Sequence, residues 1–384
     1  MSERTSFPLV FVLWGAGLGA AGQYAKISVI FDRLEAVYPD AGAALGFIVS
    51  LVGLVGILLG VVAGLVVARI RYRRAMLWAL WAGAAMSLFQ ASLPSLPLML
   101  ASRVIEGISH LVIVVAAPTL IAQASAARHT GLTLTLWSTF FGVAFTLLVA
   151  LGLPLVDALG LPALFVAHGV WMLVFALVLT TTLRPVETAA ETALSLRGIL
   201  ADHVTIYRSP RIAAPAAGWL FSTFCFLAIL TVLPPYIAHE WRAWVLGTMP
   251  LVSIAVSMTL GVAALRIITA VQLVQLGFAF CVAALVWLLL VPGNPAACLA
   301  LAGALGLVQG ASFAAIPHLN ATAPTQAQAY GALAQTGNLG NTIGTPVLLM
   351  ILGAAGYAGM IWTAIVMLSC GFFVHAWMAA RRSR

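Results

Sequence analysis

The sequence predicts an all-α membrane protein whose twelve transmembrane helices form two pseudo-symmetric six-helix bundles. Three observations carry this prediction. The 384-residue chain is 63% hydrophobic and 7% charged, with a mean hydropathy of +1.10, far outside the range of water-soluble domains. Its apolar residues gather into twelve long runs, and about 20 consecutive apolar residues cross a bilayer as a helix. The runs also repeat, six and six.

Taken in order, the expected spans cover 8–31, 42–68, 75–93, 96–123, 130–154, 161–183, 211–237, 243–265, 268–291, 295–320, 327–352 and 356–380. Each must be a helix, because lipid offers no partners to backbone N–H and C=O groups. The first run reads as a span and not as a cleaved signal peptide, since further apolar runs follow it directly. The repeat is clearest in the fourth and tenth spans. Gly107, Ser109 and Pro118 recur as Gly310, Ser312 and Pro317, roughly 200 residues on, the length of one six-helix half. Gly64 and Arg69 likewise echo in Gly261 and Arg266, and Thr130-Gly131 in Tyr330-Gly331. Residues 1–183 are therefore read as the first bundle, 184–210 as a linker and 211–384 as the second bundle.

The formal charge of +8 is a matter of topology and not of nucleic-acid binding. With the N-terminus placed inside, Arg4, Arg69, Arg71, Arg73, Arg74, Arg128, Arg184, Arg197, Arg208, Arg211, Arg266, Arg381, Arg382 and Arg384 all fall on the cytoplasmic side. Only Arg33 and Arg242 fall outside, so both termini are expected in the cytoplasm of a cell whose inner or plasma membrane holds the protein. The linker stretch from Leu194 through Arg197, Ile199, Leu200, His203 and Ile206 has the spacing of a short amphipathic helix. The longest outer loop is expected around Asp32 to Asp40.

Little chain remains for soluble chemistry. Cys225, Cys281, Cys298 and Cys370 lack metal-ligand spacing and read as small buried hydrophobes, the histidines are scattered singly, and no phosphate-binding Gly-x-x-x-x-Gly-Lys loop occurs. No enzyme activity, cofactor, metal or nucleic-acid partner is expected, and nothing implies an oligomer.

The loop after the second span reads Gly64-Leu-Val-Val-Ala68-Arg69-Ile-Arg71-Tyr-Arg73-Arg74, and the fourth span carries Arg103 followed by Glu106-Gly107. With six plus six spans, these motifs resemble the major facilitator superfamily over essentially the whole chain. The resemblance implies a secondary transporter in which spans one, four, seven and ten line a central cavity. It also implies a gating role for Gly64, Arg69 and Arg73. The chain departs from the family pattern at Ala68, where an aspartate is usual, and at Arg71, where a glycine is usual. Gly152-Leu-Pro154 matches poorly the fifth-span pattern associated with antiporters, which tilts the expectation toward uptake.

The remaining chemistry lies in ionisable groups at membrane depth, which are costly to bury and thus functional candidates. Arg103, Glu106 and His110 sit at i, i+3 and i+7 on one helical face, with Arg103 roughly 10 Å inside the outer boundary at about 1.5 Å per residue. Lys26, the only lysine, reaches a similar depth on the first span. Arg103 and Glu106 form either a structural ion pair or a site in which Arg103 holds an anion and Glu106 carries a proton. Lys26 either snorkels outward toward Asp32 and Glu35 or joins Arg103 and Glu106 in a pocket of net charge about +1. His110 either relays a proton or is a satisfied core histidine.

The candidate substrate residues are Lys26, Arg103, Tyr24, Gln309 and Asn338, and the candidate proton-coupling residues are Glu106 and His110. The expected activity is proton-coupled uptake of a small organic anion by alternating access, with substrate, protons and the bilayer as partners. Efflux of amphiphilic compounds and a non-transporting assembly role on the same scaffold are the open alternatives.

Overall fold

The computed structural model describes residues 4–41, 45–183 and 196–382. Among them every regular element is helical. Ten helical stretches are long and apolar enough to cross a membrane. One of them, the 60-residue stretch Ala323–Arg382, contains two spans, and Tyr72–Gln90, shorter and opened by Tyr72-Arg73-Arg74, adds the remaining one, which makes twelve.

In chain order the first spans are α1 (Phe7–Ser28), then α3 (Leu45–Arg69), α4 (Tyr72–Gln90) and α5 (Leu96–Ala124). Between α1 and α3 lies α2 (Phe31–Val37), so the outer loop expected around Asp32 to Asp40 is in part a two-turn helix. It is anchored by Ile30 and Leu34, both buried, and by the Tyr38 hydroxyl, which donates to the Pro94 carbonyl at 2.7 Å.

The fifth span is not a uniform helix. It runs as α6 (Thr130–Ser138), α7 (Phe140–Leu147), a π-helical turn at Leu148–Gly152 and α8 (Leu153–Leu159). Gly160, at φ +83°, then turns the chain into α9 (Leu161–Thr182). The linker carries α10 (Leu196–Arg208), where the amphipathic helix was expected. Ile206 is buried, and the Tyr207 hydroxyl donates to Gln335 Oε1 at 2.6 Å. Leu194 and the side chains of Arg197, Ile199 and Leu200 lie outside the described residues.

The later spans are α11 (Ala213–Val232), α12 (His239–Val256) continuing through a π turn at Ser257–Gly261 into α13 (Val262–Ala264), α14 (Ala270–Leu290), α15 (Pro295–Leu319) and α16 (Ala323–Arg382). A 60-residue helix would be about 90 Å long, three bilayer cores. Gly356, at φ +65°, breaks α16 into two spans, because only glycine adopts that conformation without a steric penalty.

By contact the chain divides into two compact units, one of residues 1–129 and 139–202, the other of 130–138 and 203–384. The glycine repeat has a counterpart inside each. A Cβ on Gly107 would press on Val52 and Val55 of the second span, and one on Gly310 would press on Ser257 of the eighth. The repeated glycine thus serves the same close approach, span four to span two and span ten to span eight. Gly310 also admits Thr135 of α6, and Gln309 donates to the Ser138 carbonyl, which is why α6 groups with the second unit.

In the second unit α11 and the first half of α16 pack backbone to backbone. A Cβ on Gly344 would run into the backbone oxygen of Phe224, while one on Gly353 would meet nothing within 4 Å. Gly344→Ala is therefore expected to destabilise by about 1–3 kcal/mol, the cost of overpacking. Gly353→Ala should be neutral or slightly stabilising, because alanine is the better helix former. Thermal unfolding of the two variants side by side in detergent checks the contrast.

Candidate functional site: a buried charge cluster

The site starts from a row of small residues on α1. Gly15, Gly19 and Gly22 fall at i, i+4 and i+7 and face α9, where added Cβ atoms would strike Phe175, Met172 with Trp171, and His168 in turn. This missing bulk lets α9 come close enough to bond the α1 backbone. Trp171 Nε1 donates to the Gly15 carbonyl at 2.9 Å, and His168 Nε2 lies 2.8 Å from the Gly19 carbonyl. One turn beyond Gly22, Lys26 enters the space that α1, α4, α5 and α9 enclose.

Lys26, Arg103 and Glu106 are all fully buried, and they meet. Lys26 Nζ lies 2.5 Å from Glu106 Oε1, and Arg103 Nη1 bonds Glu106 Oε2 from one helical turn away. Gln90 Nε2 donates to that same Oε2 at 2.7 Å and to Ser102 Oγ at 2.8 Å. Both carboxylate oxygens are thereby shared between two cations and an amide. Arg103 Nε donates to the Ile48 carbonyl at 2.7 Å, so its guanidinium also ties α5 to α3. The position of Lys26 settles one alternative. It does not snorkel outward, because Glu106 gives it a counter-ion in the interior and Phe165 offers its ring face 5.3 Å from Nζ.

Lys26 has two further neighbours that sequence reading missed. Nζ donates to Ser87 Oγ at 2.8 Å and lies 3.5 Å from His168 Nδ1. Ser87 Oγ in turn sits 2.8 Å from His168 Nδ1 and 3.0 Å from the Phe165 carbonyl. A carbonyl only accepts, so the Gly19 bond places a hydrogen on His168 Nε2 and leaves Nδ1 as the bare nitrogen facing Lys26. The available signal was the glycine row on α1, which demands a close partner helix; it does not by itself say which helix.

One donor nitrogen and one acceptor oxygen of the cluster stay open. Among the described residues, Arg103 Nη2 and Gln90 Oε1 are buried without a hydrogen-bond partner. With Lys26 and Arg103 charged and Glu106 ionised, the cluster carries one surplus positive charge.

The other sequence candidates are placed as follows. His110 is buried, with Nδ1 2.8 Å from the Ala20 carbonyl, and its ring meets Tyr24 edge-on at 5.1 Å. It shares no hydrogen bond with Lys26, Arg103 or Glu106. Tyr24 also meets Phe141 at 6.0 Å. Gln309 and Asn338 belong to the second unit, where Gln309 bonds the Ser138 carbonyl and Asn338 donates to the Ala334 carbonyl of its own helix at 2.8 Å. Gly64 is buried within α3, and the side chain of Arg69 lies outside the described ones. Arg73 caps the C-terminal end of α9, donating from Nε to the Leu183 carbonyl and from Nη2 to the Thr180 carbonyl, each at 2.8 Å. No group of metal-ligating side chains occurs among the described residues.

The family model described as Major Facilitator Superfamily matches residues 13–345. The chain belongs to the major facilitator superfamily. It is thus a transporter of that superfamily, an integral multi-pass membrane protein. Solved structures of the superfamily share its fold. The human organic anion transporter MFSD10 (TETRAN) superposes with a TM-score of 0.77 at 17% identity, covering 96% of this chain and 98% of its own. The E. coli fucose:proton symporter FucP gives 0.78 at 14% identity, covering 98% and 99%, and the proton:xylose symporter XylE gives 0.71 at 15%, covering 97% and 95%. No curated protein matches the sequence.

Removing one member of a buried ion cluster strands the others. Glu106→Gln leaves two buried cations with no counter-ion and is expected to cost about 3–5 kcal/mol. Lys26→Met leaves Glu106 paired with Arg103 and should cost clearly less. Comparing the unfolding midpoints of the two variants in detergent tests the ranking, and equal losses would contradict it.

Proposed function

We propose that the protein is a proton-coupled importer of a small organic anion. The observation that carries this reading is the charge imbalance of the buried cluster: two cations, one carboxylate, and an Arg103 Nη2 with no partner among the described residues. A surplus cation with an open guanidinium donor in a transmembrane unit is matched by one carboxylate or similar monoanion. Among the solved structures that share the fold are an organic anion transporter and two proton symporters, which supports both halves of the reading.

In this reading the bundles 1–183 and 211–384 alternate access around the site, joined by the cytoplasmic linker 184–210. Lys26 and Arg103 hold the anionic head, and Tyr24 flanks it. Gly64, Arg69 and Arg73 govern the loop between spans two and three. The excess of arginine in the loops on one side supports a reading with both termini in the cytoplasm, in an inner or plasma membrane.

A thermal-shift series on purified protein tests the substrate class. A ligand that binds only the folded state stabilises it by about 2.7 kcal/mol at one hundred times its Kd. Lactate, acetate and benzoate are expected to raise the melting temperature of the wild type and to leave Arg103→Ala unmoved. Stabilisation by lipophilic cations alone would replace anion uptake with efflux of amphiphiles.

A further inference from the structure

We infer that Lys26, Ser87 and His168 form a proton relay, and that the proton coupled to transport is held by this trio and not by Glu106 or His110. The inference deepens the proton-coupled reading above and rests on it.

The geometry is a chain of two hydrogen bonds from three helices. Lys26 Nζ on α1 donates to Ser87 Oγ on α4 at 2.8 Å, and Ser87 Oγ lies 2.8 Å from the bare Nδ1 of His168 on α9, a shorter contact than the 3.0 Å to the Phe165 carbonyl that competes for its one hydrogen. A hydroxyl accepts and donates at once, so it can pass a proton along such a chain. The ammonium of Lys26 gives a proton to Ser87 Oγ, and the hydroxyl proton of Ser87 moves to His168 Nδ1. Lys26 becomes a neutral amine, Ser87 is unchanged, and His168 becomes an imidazolium that keeps its Nε2 bond to Gly19. Loss of the Nδ1 proton to water in an open state leaves the trio neutral, and the reverse sequence reloads it.

The charges around His168 make this a one-proton device. Lys26 on α1 and Glu106 and Arg103 on α5 are the charged groups that face it; α4 presents Ser87, and Asp157 of α8 is exposed and paired with Arg33 at 2.8 Å. Ammonium and imidazolium 3.5 Å apart would repel, so the two nitrogens hold one proton between them. With it the cluster has charge +1 and accepts a monoanion; without it Arg103 and Glu106 cancel. Glu106 is unsuited to this role, since both its oxygens are occupied by Lys26, Arg103 and Gln90. His110 is separated from the trio by its bond to the Ala20 carbonyl.

Two measurements on the full-length protein in lipid test the relay. In proteoliposomes with labelled lactate, acetate or benzoate, His168→Gln and Ser87→Ala are expected to lower accumulation driven by a pH gradient by about tenfold or more. Exchange of the same anion without a gradient should persist, and Ser87→Thr should restore accumulation. Full accumulation by either variant overturns the relay, whereas absence of gradient-driven uptake in the wild type overturns the function reading instead. Nitrogen-15 spectra of histidine-labelled protein, with His168→Gln to assign the signal, read the tautomer without any substrate. A hydrogen on Nε2 and a bare Nδ1 that shifts in Ser87→Ala is the expected result; a hydrogen on Nδ1 overturns the relay whatever the uptake assay finds.

Discussion

Glu106 is the constraint on which the first unit depends. A carboxylate with no solvent exposure is tolerable only where its charge is fully answered, and here it is answered from three helices. Lys26 comes from α1, Gln90 from α4, and Arg103 from α5 itself, whose Nε then reaches the α3 backbone at Ile48. Each of these bonds specifies a helix register as well as a charge balance. Sliding α1 or α4 by one residue would turn Lys26 or Gln90 away by about 100° and leave a buried charge or amide stranded.

Close packing is what makes that arrangement reachable. Hydrocarbon gives helices no hydrophobic reason to associate, so short separations, van der Waals contact and polar bonds do the work. The glycines of α1 bring α9 near enough for His168 and Trp171 to bond α1 carbonyls. In the second unit Gly337, Gly340 and Gly344 do the same for α11 and α16, against Trp219, Thr223 and Phe224. The two units share a packing strategy and differ in charge: the first holds the ion cluster, the second amides and hydroxyls.

Each unit also contains a departure from regular helix. The fifth and eighth spans each contain a five-residue π turn ending in glycine, Leu148–Gly152 and Ser257–Gly261. Such turns leave backbone groups without their usual partners and recur at functional positions in helices. Ser257 Oγ, at the start of the second, is buried beside Gly310 and has no hydrogen-bond partner among the described residues. The eighth span thus combines a local backbone irregularity with an open polar atom at its contact with span ten.

The sequence by itself determined the class and the number of spans, and it marked Lys26, Arg103 and Glu106 as charges at membrane depth, because these follow from local apolar length and from the cost of charge in lipid. It also put Arg103 and Glu106 on one helical face, a consequence of 3.6 residues per turn. It left Lys26 undecided between two environments, since both its possible partners, Asp32 and Glu106, lie within plausible reach of a long flexible side chain. Only the tertiary structure chose between them, by bringing α5 against α1. His168, Ser87 and Gln90 were illegible for the same reason: each is an ordinary polar residue in an apolar run, and its role exists only where four helices converge. The helix α2 and the π turns likewise escaped periodicity, because they depend on neighbours packed against a short segment and not on the segment's own pattern.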